Sequence, residues 1–103
     1  MDKPKPSFAP VYAFLYPNLA TIARKHGYAL AIHGSLQRDM DVIAIPWIAE
    51  PSESIDVVTE ICDSFCFKQI GLPDITYHGR MRYTLSIYGE AFIDLSFMPI
   101  STS

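Results

Sequence analysis

Residues 28–45 read YALAIHGSLQRDMDVIAI, two short apolar runs on either side of a polar link. The first run lies between Gly27 and Gly34 and is too short for a typical helix, so residues 28–32 predict a strand covered on both faces. The second run is rich in β-branched residues and stops at Pro46, so residues 39–45 predict a second strand. This stretch therefore predicts two consecutive strands joined by a short link.

One amphipathic helix is predicted on each side of this strand pair. From residue 11, apolar side chains recur at helical spacing until a basic turn and a glycine, which predicts a helix over 11–26. Pro17 lies inside this segment, so either the helix kinks or a separate second helix begins there. Ser52 is suited to cap the other helix, which we expect over 53–69 before Gly71 prevents its continuation.

Two further strands are predicted over 80–88 and 91–98, where apolar and polar residues alternate. The apolar residues carry odd numbers in both strands. Because facing residues project to the same side of a sheet, the turn between these strands must hold an odd number of residues. A three-residue turn places Asp94 on the polar face, together with Arg82, Thr84, Ser86 and Ser96.

The order helix, strand, strand, helix, strand, strand predicts one α+β domain. We expect a mixed, largely antiparallel four-stranded sheet with the helices packed on one side. Residues 1–10 are rich in proline and lysine and predict a flexible arm. The domain then covers 11–99, and residues 100–103 form a tail.

Composition excludes several classes of protein. The chain has 103 residues, of which 50% are hydrophobic, which predicts one well-packed core. Its net charge of −3 does not favour nucleic acid or an anionic membrane. No apolar run is long enough for a membrane helix or resembles a secretion signal, so we expect a cytoplasmic protein. Cys62 and Cys66 lie one helical turn apart and are predicted to be buried thiols.

Carboxylates and a Gly-Ser pair mark a candidate site. Asp39 and Asp41 project from the same face of the second predicted strand, about 7 Å apart. Such a pair suits a hard divalent cation such as Mg²⁺, and Asp94 can complete a three-carboxylate cluster. Gly34 permits close backbone approach, and Ser35 offers a hydroxyl and an amide to phosphate. The alternative is a solvated strand end, with its charge neutralised by Arg38 or Arg82.

The combination of Gly34-Ser35 after a strand, Asp39-x-Asp41 opening the next strand and a later Ile93-Asp94-Leu95 resembles the nucleotidyltransferase superfamily related to DNA polymerase beta. The resemblance implies that domain's fold and transfer of a nucleotidyl group to a hydroxyl of a protein or small molecule. It implies that Gly34 and Ser35 cradle the triphosphate of a nucleoside triphosphate. It also implies that Asp39, Asp41 and Asp94 hold Mg²⁺ or Mn²⁺, and that Asp94 activates the acceptor hydroxyl.

Residues 33–47 also look like a segment of small proteins encoded by bacteriophages and prophages. That resemblance leaves open a catalytically inactive relative that acts by binding a host protein, and the many aromatic residues can supply a contact patch or a homodimer face. In the family, a longer spacer separates Gly-Ser from Asp-x-Asp, whereas only Leu36, Gln37 and Arg38 intervene here.

Five side chains near the motif have two interpretations each. His33 either donates to a phosphate or orients an aspartate, or it is bonded to the backbone. Arg38, Arg80 and Arg82 either bind phosphate or pair with the aspartates. Trp47 either stacks on a base or fills the rim of the core.

Overall fold

The computed structural model describes residues 10–34, 39–76, 78–87 and 91–99. The chain forms two helices, α1 (Pro10–Lys25) and α2 (Ser54–Phe65), and six strands. The strands are β1 (Tyr28–His33), β2 (Met40–Pro46), β3 (Lys68–Gln69), β4 (Asp74–Ile75), β5 (Met81–Ser86) and β6 (Phe92–Phe97). The predicted α+β class is confirmed.

All six strands belong to one mixed sheet. Its order is β1-β2-β6-β5-β3, and β4 also pairs with β5. The pairing of β2 with β6 is parallel, and the other pairings are antiparallel. The prediction of four strands was wrong, because β3 and β4 contain two residues each and are too short to show an alternating pattern.

The core lies between the two helices and one face of the sheet. The alternation of side chains along each strand directs one set of apolar residues to this face, where they are buried. The strands contribute Tyr28, Leu30, Met40, Val42, Ala44, Tyr83, Leu85, Ile93, Leu95 and Phe97. The opposite face, on which no described helix packs, carries Asp41, Ile43, Thr84, Asp94 and Ser96. We call it the open face.

The register between β5 and β6 agrees with the alternation argument. Leu85 faces Ile93 and Thr84 faces Asp94, so odd-numbered residues pair with odd-numbered ones and even-numbered residues with even-numbered ones. An odd number of residues therefore separates the paired ends of the two strands, as predicted. Asp94 accordingly lies on the open face and not in the core.

Both helices differ in detail from the sequence prediction. The first is one continuous helix that includes Pro17. The second ends at Phe65, not at residue 69, because Cys66 adopts a left-handed conformation with φ 59° and the chain turns into β3. A non-glycine residue in this conformation is uncommon, so the sequence contains no stop signal there. Cys66 is exposed and Cys62 is half-buried, so the prediction of two buried thiols was wrong for Cys66.

The Ser52 side chain does not cap α2. Glu53 is the N-cap residue and makes no side-chain capping bond. Instead, the Ser52 hydroxyl lies 2.8 Å from Nδ1 of His26, and Nε2 of His26 lies 2.8 Å from Oε1 of Glu60. Lys25 donates a further hydrogen bond to Glu60. His26 therefore joins the end of α1 to α2 and to the segment that precedes it.

The ends of the chain bear on the predicted domain limits. Pro10 belongs to α1, so it is not part of the predicted arm. The rest of the arm and the tail over 100–103 lie outside the described residues. Within the described ranges, no helix has both the length and the apolar character that crossing a membrane requires.

Candidate functional site

Four polar side chains form a continuous row across the open face. His33 on β1 faces Asp41 on β2, Asp41 faces Asp94 on β6, and Asp94 faces Thr84 on β5. Each residue is a direct register partner of the next, and such partners lie close enough for their side chains to interact. The sheet therefore gathers residues that are far apart in sequence into one polar row.

The two carboxyl groups at the centre of this row are in contact. The side chains of Asp41 and Asp94 project from paired positions and interact directly, and Oγ1 of Thr84 donates to Oδ1 of Asp94 at 3.3 Å. Burial raises the pKa of Asp41, and the charge of Asp94 and the direct interaction with it raise it further. His33 acts in the opposite direction. Two ionised carboxylates this close repel each other, so a proton or a cation between them is favourable.

Gly34 lies against this pair. A β-carbon at this position would lie 3.1 Å from Oδ2 of Asp41, and the φ of Gly34 is +83°. Both facts favour glycine, since other residues rarely adopt this φ. Gly34 directly follows His33, the register partner of Asp41, and this brings it to the carboxylate. Ser35 and Arg38, the other predicted nucleotide-binding residues, lie outside the described residues.

Asp39 is placed differently from the other two aspartates. It is half-buried just before β2 begins, and its charge contributes to the raised pKa of Asp41. It also acts on Tyr12, whose pKa is raised first by burial and then by Asp39. In the part of the chain that the structure describes, no three His, Cys, Asp or Glu side chains form a group that can hold a metal ion. The structure thus joins Asp41 to Asp94 without forming the full predicted cluster.

The Asp41–Asp94 pair opens into a pocket of about 190 Å³. The pocket is bounded by residues of both charge signs: His33, Asp41, Val42, Ile43, Thr76, Arg80, Arg82, Asp94 and Ser96. Carboxylates from β2 and β6 thus share one small cavity with two guanidinium groups. A cavity of this kind can hold a cation and an anionic group at the same time.

The two arginines of the pocket have different partners. Arg82 donates to both carboxylate oxygens of Asp74, at 3.2 and 2.7 Å, and this bond lowers the pKa of Asp74. The ion pair of Arg82 is thus with Asp74, whereas Asp94 and Asp41 act on Arg82 only through their charge. Nε of Arg80 is buried and has no hydrogen-bond acceptor among the described residues.

Sequence reasoning missed Thr76, which lines the pocket, and Asp74, which accepts hydrogen bonds from Arg82. Asp74 lies on a two-residue strand, and no local pattern indicates that it faces Arg82. Thr84 was placed on the correct face by alternation, but its bond to Asp94 depends on the strand register. Trp47 lies elsewhere, 62% exposed beside α1, so it does not fill the rim of the core.

Comparisons of the chain with models of known protein families, with curated proteins and with solved structures gave no match. The geometry of the open face therefore carries the functional argument. Its central features are two carboxyl groups in contact, a glycine that leaves room beside them and guanidinium groups across a small pocket. These are the elements of a site for a cation and a phosphate.

Proposed function

We propose that this protein transfers a nucleotidyl group from a nucleoside triphosphate to a hydroxyl of a protein or small molecule and releases pyrophosphate, with Mg²⁺ or Mn²⁺ as cofactor. The contact between Asp41 and Asp94 is the observation that carries the proposal. Two carboxylates on adjacent strands repel each other unless a proton or a cation lies between them. Their position on the open face leaves them accessible to a ligand.

The donor set fits magnesium. Mg²⁺ prefers oxygen ligands and is commonly bound by one or two carboxylates together with substrate phosphates and water, so Asp41 and Asp94 suffice as protein ligands. When bound, the cation neutralises phosphate charge and polarises the phosphorus centre. Asp39 adds negative charge from its position before β2.

The remaining residues orient the reactants. Thr84 holds the carboxylate of Asp94 by a hydrogen bond, so Asp94 is oriented to accept the proton of the acceptor hydroxyl. Gly34 leaves space beside Asp41 for a phosphate group. Ser35 and Arg38 lie one and four positions after Gly34 in the sequence and are proposed to contact the triphosphate with their polar groups.

Thermal unfolding with ligand tests this proposal. We expect a mixture of MgCl₂ and ATP to raise the melting temperature more than either component alone, because the site binds them together. Asp41→Asn should remove this gain, whereas Glu50→Gln, which removes the same charge from an exposed loop, should keep it. Transfer of label from α-³²P-ATP to protein or to small hydroxyl compounds then tests the reaction. Equal stabilisation of the Asp41 variant and the wild type by Mg²⁺ and ATP would contradict the proposed site.

A second candidate is an inactive nucleotidyltransferase-like phage accessory protein that binds a host protein. The observation in its favour is the exposed apolar group of Ile45, Trp47 and Ile48, whose members are 41–62% exposed. Large exposed apolar side chains close together in the chain are typical of contact surfaces. Because Trp47 is the only tryptophan, its fluorescence reports on this surface directly. Full affinity for a host partner in Asp41→Asn, lost in Trp47→Ala, would support this candidate.

A further inference from the structure

We propose that Arg80 is an anion-binding residue of the open-face pocket, and that this pocket recognises the polyphosphate chain of a nucleotide rather than its base. The inference rests on the proposed function, since it names the part of the substrate that the site holds. Two observations support it: among the described residues, Arg82 is paired with an acidic residue whereas Arg80 is not, and the cavity is small.

Arg80 is fixed in place by its own backbone. Its amide donates to Oγ1 of Thr76 at 3.2 Å, and its carbonyl accepts from the amide of Thr76 at 2.8 Å. The turn between β4 and β5 therefore positions the start of the Arg80 side chain at the pocket. Little conformational freedom of the backbone is left to lose when a ligand binds.

The guanidinium of Arg80 retains unused hydrogen-bonding capacity. Its Nε is buried and has no hydrogen-bond partner within the described ranges, whereas Arg82 donates two hydrogen bonds to Asp74. Buried donors are rarely left unpaired in folded proteins, so such a group calls for a partner. An arginine presents a planar set of donors that matches the oxygens of a phosphate.

The charges across the pocket explain why that partner is a phosphate bound together with a cation. Asp41 and Asp94 lie in the same cavity as Arg80, yet no described ion pair joins Arg80 to either of them. A cation on the carboxylates and a phosphate between the cation and Arg80 satisfies both sides of the pocket. The ligand class is therefore a polyphosphate with a divalent cation.

The size of the pocket limits what else it can hold. Its volume of about 190 Å³ is below the range of roughly 300–1,000 Å³ that is usual for a whole small-molecule ligand. Phosphate groups and a cation fit this space, but a ribose and a base do not fit beside them. The nucleoside must then lie outside the pocket, where it makes few specific contacts.

Calorimetric titration with inorganic tripolyphosphate and with ATP, GTP, CTP and UTP, each in MgCl₂, tests the inference. We expect the four nucleotides to bind within about threefold of one another, and tripolyphosphate to bind as well. Arg80→Gln should weaken all five ligands by about 10- to 100-fold, the usual range for a lost charge-assisted hydrogen bond. Arg80→Lys should retain part of the affinity, because it keeps the charge but not the planar fork.

Two matched variants control for charge and for position. Arg24→Gln removes the same charge from exposed α1, outside this pocket, and should bind all five ligands like the wild type. Arg82→Gln should weaken binding less than Arg80→Gln, because Asp74 already holds Arg82. Circular dichroism of each variant checks that the fold is intact.

The outcomes separate this inference from the proposed function. Unchanged binding of Mg²⁺ and ATP to Arg80→Gln would overturn the role of Arg80 and leave the proposed function standing. A preference of more than about tenfold for one base would overturn base-independent recognition. Arg80-dependent binding of tripolyphosphate without any nucleotidyl transfer would support the inference and contradict the proposed function. Failure of all five ligands to bind the folded wild type would overturn the inference.

Discussion

Asp41 and Asp94 are direct register partners on the parallel strands β2 and β6, and their carboxyl groups interact directly. Residues that face each other across parallel strands project to the same side, so the pairing itself forces two acidic groups together. A fold gains no stability from such a pair, because like charges directly opposite each other are destabilising. The arrangement is therefore the clearest departure from what stability alone would favour.

The first prediction concerns this repulsion. Asp41→Asn should raise the free energy of unfolding by roughly 0.2–1 kcal/mol at pH 7 in EDTA, because an amide removes the like charge and can donate to Asp94. Urea unfolding of the wild type and of the variant measures the change, with Glu50→Gln as the control for net charge. A loss of stability in the Asp41 variant would show that this carboxylate has a favourable structural partner.

The pH dependence of the same variant is the second prediction. The pKa of Asp41 is raised above its ordinary value of 3.8, so the folded chain holds this proton more tightly than the unfolded chain does. The contribution of protonated Asp41 to the free energy of unfolding is fully present below about pH 3.8. It is lost as the pH rises through the raised pKa. The advantage of Asp41→Asn should therefore be present at pH 7 and shrink on acidification. An advantage that grows towards low pH would contradict the raised pKa.

Gly34 and Gly79 provide the third prediction. Both have a φ of +83°, but only Gly34 would place a β-carbon against a neighbour, at 3.1 Å from Oδ2 of Asp41. Alanine at either position should lower the free energy of unfolding by about 1–2 kcal/mol, because its side chain disfavours this left-handed backbone conformation. Gly34→Ala should in addition weaken the binding of Mg²⁺ with ATP, whereas Gly79→Ala should not. Equal effects of the two variants on binding would show that the contact with Asp41 has no role.

Much of this fold could be predicted because local patterns determine it. The alternation within β5 and β6 limited their register to an odd turn and placed Asp94 on the polar face, and Gly27 marked the end of α1 close to the predicted residue. The left-handed Cys66 and the two-residue strands β3 and β4 could not be predicted. Cys66 is not a residue that usually adopts this conformation, and two residues show no period.

The site was predictable only in part, because strand order is a long-range property. The sequence pattern placed Asp41 and Asp94 on strands, but their adjacency depends on the parallel pairing of β2 with β6. That pairing depends on the burial of apolar surface across the whole sheet. The partner of Arg82 was missed for the same reason. Its bond to Asp74 follows from the pairing of β4 with β5, which no periodicity indicates.

The fourth prediction separates structural from functional polar groups. Ser52→Ala should lower the free energy of unfolding by about 0.5–1.5 kcal/mol, because it removes the hydroxyl bonded to His26. Ser64→Ala, which removes an exposed hydroxyl from α2, should change it much less. Neither variant should alter the binding of tripolyphosphate, since neither residue lines the open-face pocket. Loss of ligand binding by folded Ser52→Ala would show that the His26 contacts reach the site.

The last prediction uses the ion pair between Asp74 and Arg82. Both side chains are largely exposed, so Asp74→Asn should change stability little, as is usual for ion pairs in water. The same change releases the guanidinium of Arg82, which lines the pocket, from its acidic partner. Tripolyphosphate in MgCl₂ should then bind roughly two- to fivefold more tightly, by an amount that decreases with added salt because exposed charges are screened.

A double variant identifies the source of that gain. If released Arg82 binds the phosphate, Asp74→Asn combined with Arg82→Gln should lose the added affinity, whereas Asp63→Asn, with the same charge change on α2, should never acquire it. Calorimetry on the folded variants measures the affinity for tripolyphosphate and its dependence on salt. A gain that persists without Arg82 would mean that Asp74 acts only through the net charge of the chain, and the pocket would then depend on Arg80 alone for its cationic side.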